Sequence, residues 1–188
     1  DFLMAVNVSS LQFQREDWAD HVAAVLAEVG LHPSRLELEL TESLVMDNPL
    51  QAATRLTALR KLGVRVAVDD FGTGYSSLSY LRQLRARQLK IDRSFIRDLA
   101  GSSDARAVVD AVIRLAHALD MQVVAEGVED TDQRDLLAGM GCDQLQGFLY
   151  AKRLSGLCKL LRVSKSLTRE TSSIGISSLR ISCLPRPE

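Results

Sequence analysis

Val66-Ala-Val-Asp-Asp-Phe-Gly-Thr-Gly-Tyr-Ser-Ser77 is an apolar run that ends in two adjacent acids and a glycine-rich turn. It reads as a buried β-strand that delivers Asp69 and Asp70 into a loop of Phe71, Gly72, Thr73 and Gly74. Neighbouring carboxylates repel, and they resist burial unless a cation sits between them. A divalent metal is the usual answer for such a pair at a strand end. The glycines let the backbone bend sharply there, so that loop and acids approach one ligand.

Outward from this stretch, strand-like and helix-like segments alternate. Phe2 to Val8 is a short apolar run and predicts a strand. Glu16 to Val29 has helical periodicity, with a stripe of Trp18, Val22, Val25, Leu26 and Val29. Arg35 to Thr41 alternates as a strand does. Asp47 is placed to cap a helix that has Pro49 in its first turn and stops at Gly63. Val64–Val68, Gln88–Ile91, Met121–Ala125 and Gln144–Tyr150 predict further strands. Ser76–Leu84, Asp104–Leu119 and Asp130–Met140 predict helices between them.

Strand–helix units of roughly 25–35 residues argue for a parallel sheet covered by helices, in a (β/α) barrel or an open doubly wound sheet. A full (β/α)8 barrel takes about 250 residues, with about 200 a practical minimum. The chain has 188 residues and starts at Asp1, directly before an apolar run. The expectation is an α/β fold, either open or a TIM-like barrel whose first strand units lie outside this sequence.

Polar residues recur where these strands end: Asn7, Glu39, Asp69, Lys90, Glu126 and Gln146. In a parallel barrel such positions share the rim on which active sites are built. Each has a bland alternative. Asn7, Glu126 and Gln146 suit turns, Glu39 suits the exposed face of an alternating strand like Glu37, and Lys90 suits a strand edge. The set is more specific than any member. His21, His32 and His117 fall away from the acidic rim and read as structural, which argues against a histidine-based catalyst.

Composition agrees with a folded domain: 46% hydrophobic and 25% charged residues, with a net charge of −1 that gives no pull toward nucleic acid or an anionic membrane. Cys142, Cys158 and Cys183 are odd in number and far apart, so they form neither a metal knuckle nor a disulfide framework, and a cytoplasmic setting is expected. Residues 155–188 are rich in serine, carry scattered basic charge and show no sustained strand or helix pattern after about Leu161; they read as a disordered tail.

Asn7-Val-Ser9, Glu39-Leu-Thr-Glu42, Asp69 to Ser77, Lys90-Ile-Asp92, Glu126-Gly-Val-Glu129 and Gln146-Gly-Phe148 stand in the order and spacing of a known family. Over residues 1–154 the chain closely resembles the EAL domain, the bacterial cyclic-di-GMP phosphodiesterase. The resemblance implies a (β/α)8-type barrel that hydrolyses cyclic di-GMP to linear 5′-pGpG with two Mg²⁺ or Mn²⁺ ions. It implies that Asn7, Glu39, Asp69, Asp70 and Glu126 ligate metal, with Asp69 shared. Lys90 would hold the attacking water or the phosphate, Glu126 would be a ligand or general base, and Asp70 would bind the second ion or its water. Glu129 and Gln146 would support this shell. Glu42 would anchor the loop from Phe71 to Ser77, which couples metal binding to homodimerisation in the family.

Two departures stand out. The Glu-Ala-Leu triplet, which in relatives lies upstream of Asn7, does not occur in this sequence, so the chain is expected to be an N-terminally truncated form with weakened metal binding. After Gln146-Gly147, Lys152 is followed by Arg153 where relatives have Lys-Pro. The alternatives to a phosphodiesterase are a binding domain that senses the nucleotide without cutting it and an inert fragment. A GGDEF or sensory domain, with membrane anchoring, would belong to a longer parent.

Overall fold

A computed structural model describes residues 3–72, 78–149 and 179–182, with backbone alone at 78–80 and 179–182. The chain divides into two compact units, Asp1–Ala67 with Val163–Glu188, and Val68–Arg162. The tail reading therefore falls almost wholly outside the described residues, as do Thr73 and Gly74 of the loop.

In the first unit β1 (Leu3–Asn7) runs parallel to β2 (Leu36–Thr41), with Asn7 opposite Glu39. A short strand at Leu179–Ser182 pairs antiparallel with β1, which corrects the expectation of no strand beyond Leu161. Between β1 and β2 lie α1 (Ser10–Phe13) and α2 (Trp18–Val29). Helix α1 is a single turn that periodicity cannot reveal; Ser9 and Gln12 close it with a reciprocal capping box. Of the expected stripe on α2, Trp18 and Leu26 are buried while Val29 is 45% exposed. Phe13 meets Trp18 edge to face at 5.3 Å, and the Arg55 guanidinium lies over the Phe13 ring while donating to the Phe13 and Gln14 carbonyls.

Strand β2 departs from the alternating reading, because Leu36 through Leu40 are all buried, Glu37 and Glu39 included. Parallel strands are covered on both faces, so the polar side chains of an alternating pattern go inside as well. After β2, α3 (Glu42–Asp47) is followed by α4 (Pro49–Leu62). The cap of α4 is Asn48, whose side chain accepts from the Gln51 N–H, and not Asp47, which ends α3. Gly63 stops α4 at φ 90° as expected.

Strand β3 (Arg65–Phe71) crosses the division between the units and carries Asp69 and Asp70 inside its length rather than just past its end. In the second unit β3 neighbours β4 (Gln88–Ile91), and β4, β5 (Gln122–Glu126) and β6 (Gln144–Gln146) pair in parallel. Helix α5 (Leu78–Leu84) precedes β4, α6 (Arg93–Arg97) and α7 (Ser103–Ala118) follow it, and α8 (Thr131–Gly139) joins β5 to β6. The last strand stops at Gln146, short of the expected Tyr150, because Phe148 and Leu149 already turn helical. Leu81, Leu89, Ile91, Ile96, Ile113, Val123 and Leu137 are fully or almost fully buried among these elements. Each such aliphatic side chain removed from water stabilises the unit by about 1.5–3 kcal/mol.

Candidate active site at the strand ends

In the second unit Asp69 and Glu126 meet around one ammonium. Lys90 on β4 is 2% exposed, with its Nζ 2.6 Å from Glu126 Oε1 on β5 and 3.1 Å from Asp69 Oδ1 on β3. Leu89 and Ile91, its neighbours on β4, point to the opposite face of the strand and are also buried, so the strand is covered on both faces. A buried charge in this setting survives only when paired, and here it has carboxylate partners on both flanking strands. The strand-edge reading of Lys90 is thereby excluded.

Asp70 is half-buried and sits at φ 53°, in the left-handed region that Asp and Asn tolerate better than other L-residues. Its N–H lies 3.1 Å from Asp69 Oδ1. Burial pushes the Asp70 carboxyl above its ordinary value, and the charges of Asp69, Asp92 and Glu126 add to this, with Lys90 opposing them. Gly72, at φ 99°, brings the backbone against the Phe95 ring, where a Cβ would stand 2.7 Å from a ring carbon. Phe71 is buried beside it.

Glu126 is the last residue of β5, and Gln146, in register with it on β6, is exposed. Glu129 is exposed on the loop that follows Glu126. Gly147 is pressed so closely on Val128 that a Cβ there would lie 2.2 Å from the Val128 carbonyl oxygen. In the first unit Asn7 is half-buried at the end of β1, in register with Glu39, which is 5% exposed, and Glu42 is 1% exposed at the start of α3.

The donors at these strand ends are carboxylate and amide oxygens, the types that suit a hard divalent cation such as Mg²⁺ or Mn²⁺. No three Asp, Glu, His or Cys side chains among the described residues form a ready-made cage for one. The histidines lie elsewhere: His32 accepts from the Ser34 N–H, and His117 pairs with Asp143 at 2.9 Å.

The sequence from 1 to 153 matches the family described as EAL domain. The chain belongs to the EAL domain family. It is 46% identical over 152 residues to the bifunctional diguanylate cyclase/cyclic di-GMP phosphodiesterase MucR of Pseudomonas aeruginosa, covering 81% of this chain and 22% of that protein. It is 43% identical over 152 residues to the signaling protein YkoW of Bacillus subtilis, covering 81% and 19%. The chain thus spans about a fifth of the length of these curated relatives. Among solved structures, the P. aeruginosa MucR phosphodiesterase in complex with c-di-GMP superposes with a TM-score of 0.74 at 48% identity, covering 77% of this chain and 59% of that one. The manganese/c-di-GMP complex of Klebsiella pneumoniae BlrP1 gives a TM-score of 0.71 at 35% identity, covering 77% and 37%. The fold class of this EAL chain is accordingly α/β, an incomplete (β/α)8-type barrel.

Three residues with clear structural work at this EAL site had no role assigned from the sequence. Asp92, two residues after Lys90, caps α6 and accepts from the Ser94 N–H; hydrogen bonding to the Ser94 side chain first, then to the Ser94 and Arg93 N–H groups, holds its carboxyl below the ordinary value. Gln133 is buried beneath the loop that carries Glu126 and Glu129. Gly147 provides the close approach to Val128. The Asp130-x-x-Gln133 capping box was a legible signal for the second of these.

Proposed function

We propose that the chain carries the catalytic residues of a cyclic-di-GMP phosphodiesterase, cutting the cyclic dinucleotide to linear 5′-pGpG. The observation that supports this most is the match to the EAL family and to phosphodiesterases of known structure with Asn7, Glu39, Asp69, Asp70, Lys90 and Glu126 all present. The Glu-Ala-Leu triplet does not occur in these residues, and the proposal concerns the positions that do.

In this reading Asn7, Glu39, Asp69, Asp70 and Glu126 hold two Mg²⁺ or Mn²⁺ ions, with Asp69 shared. When bound, such cations lower the pKa of water and neutralise phosphate oxygens. The chain's own groups do the rest. The Glu126 carboxylate takes a proton from the attacking water. Lys90 keeps its charge beside Asp69 and Glu126 and faces the phosphate as negative charge builds on it. Glu129 and Gln146 complete the polar surround, and Glu42 anchors the loop from Phe71 to Ser77. A homodimer, a GGDEF or sensory domain in a longer parent and a cytoplasmic site of action belong to the same reading. Among the described residues, no helix is long and apolar enough to cross a membrane.

The test is incubation with cyclic di-GMP and Mn²⁺, with product separated by chromatography and Asp69→Asn as control. Loss of one shared ligand is expected to lower turnover by about 100-fold or more. Equal turnover by both proteins overturns the assigned site. Nucleotide binding without turnover by the unsubstituted chain supports the sensing reading instead.

A further inference from the structure

Gln133 lies on α8 and is 5% exposed, yet all of its side-chain polar atoms are engaged. Its Oε1 accepts from the Glu129 N–H at 2.8 Å and from the Asp130 N–H at 3.4 Å, on the loop that leaves Glu126. Its Nε2 donates to the Ile96 carbonyl at 3.2 Å, on α6, the helix that begins three residues beyond Lys90. One amide therefore links the segment after Glu126 to the segment after Lys90, the residues whose side chains meet at 2.6 Å.

The loop is also gripped by backbone contacts. Gly127 turns at φ 74° with no room for a Cβ, which would meet Arg93 at 2.7 Å. The Val128 N–H donates to the Gln146 carbonyl at 3.0 Å, and the Leu149 N–H donates to the Val128 carbonyl at 3.1 Å. A helix cap needs only the acceptor half of Gln133, and glutamate serves a capping box as well as glutamine does. The donor half, aimed at a carbonyl on another helix, has no part in capping.

We propose that Gln133 is a positioning residue, whose amide fixes the Glu126 loop against α6 and so sets the Glu126–Lys90 contact for phosphodiester hydrolysis. This rests on the phosphodiesterase reading above. Gln133→Glu keeps the acceptor and the cap but loses the donor. Gln133→Met keeps length and loses both.

The experiment measures kcat and KM with cyclic di-GMP and Mn²⁺ for the chain and both variants, scaled to folded protein by circular dichroism. In parallel, the ¹⁵N ammonium signal of Lys90 is followed by NMR in metal-free buffer. The expected result is a fall in kcat of about tenfold or more for Gln133→Glu with KM held within about twofold, since small displacements of reacting groups cost rate rather than binding. The Lys90 signal shifts in both variants. Lowering the pH returns a proton to the new carboxyl, and with it a donor toward the Ile96 carbonyl, so the deficit of Gln133→Glu narrows while that of Gln133→Met does not. Wild-type kcat per folded molecule in both variants overturns the proposal. If the unsubstituted chain turns over no faster than Asp69→Asn, the phosphodiesterase reading fails on its own account. The Lys90 signal then tests the geometric part by itself: unchanged, it overturns the claim that Gln133 sets the Glu126–Lys90 contact; shifted, it supports that contact while the catalytic role falls with the phosphodiesterase reading.

Discussion

The ends of β1 and β2 set an amide beside a carboxylate, Asn7 opposite Glu39, and the ends of β5 and β6 do the same with Gln146 opposite Glu126. The two pairs have one chemistry and different surroundings. Glu39 is 5% exposed within a strand buried on both faces. Glu126 is half-buried, with a lysine ammonium at 2.6 Å that also serves Asp69. The same residue types at a strand end therefore meet different degrees of burial, and in the second pair a cation on the neighbouring strand stands against the carboxylate.

The comparison breaks most visibly at Lys90. Lys90→Met leaves Asp69 and Glu126 facing each other without their ammonium, and removing one partner of a buried ion pair costs about 3–5 kcal/mol. Urea denaturation at neutral pH in metal-free buffer is expected to show a loss of that order, recovered in part when Asp69→Asn and Glu126→Gln are added. A loss below about 1 kcal/mol, the range of exposed pairs, means that Lys90 is not their counter-charge.

A smaller effect sharpens the role of the backbone on the Glu126 side. Gly147→Ala forces a methyl group to within 2.2 Å of the Val128 carbonyl oxygen and 2.3 Å of its nitrogen, atoms that cannot rotate away. The expected destabilisation is about 1–3 kcal/mol, the usual cost of overpacking. Gly139→Ala is the control, since nothing lies within 4 Å of its Cβ position. Its unfolding midpoint is expected to equal or exceed that of the unsubstituted chain.

The smallest effect concerns Asp70. Its raised carboxyl means that the folded chain holds a proton more tightly than the unfolded one. Stability from this group is therefore greatest at low pH and falls as pH rises from the ordinary aspartate value through the raised one. Asn tolerates the φ of 53° as Asp does, so Asp70→Asn isolates the charge. Its melting temperature is expected to lie slightly above that of the parent at neutral pH and to converge with it as pH falls. A gap that widens on acidification reverses the sign and removes the strained, desolvated picture of this carboxylate.

Much of this was legible along the chain. Gln88–Ile91 was placed to the residue, and the helix stop at Gly63 followed from glycine's freedom at positive φ. The short helices α1, α3 and α6 were not legible, since one or two turns show no period. The cap of α4 shifted from Asp47 to Asn48 because α3 claims Asp47, a competition invisible until both helices are present.

The local sequence by itself determined which residues carry oxygen donors and that they recur in or near the ends of strands, because residue type and periodicity are local properties. Only the tertiary structure decided that Lys90 pairs with Asp69 and Glu126, that Glu37 goes inside with Glu39, and that Gln133 ties one loop to a helix far along the chain. Those outcomes depend on which strands lie side by side and on how much water they exclude, and charge pairing and desolvation follow distance in space rather than distance in sequence.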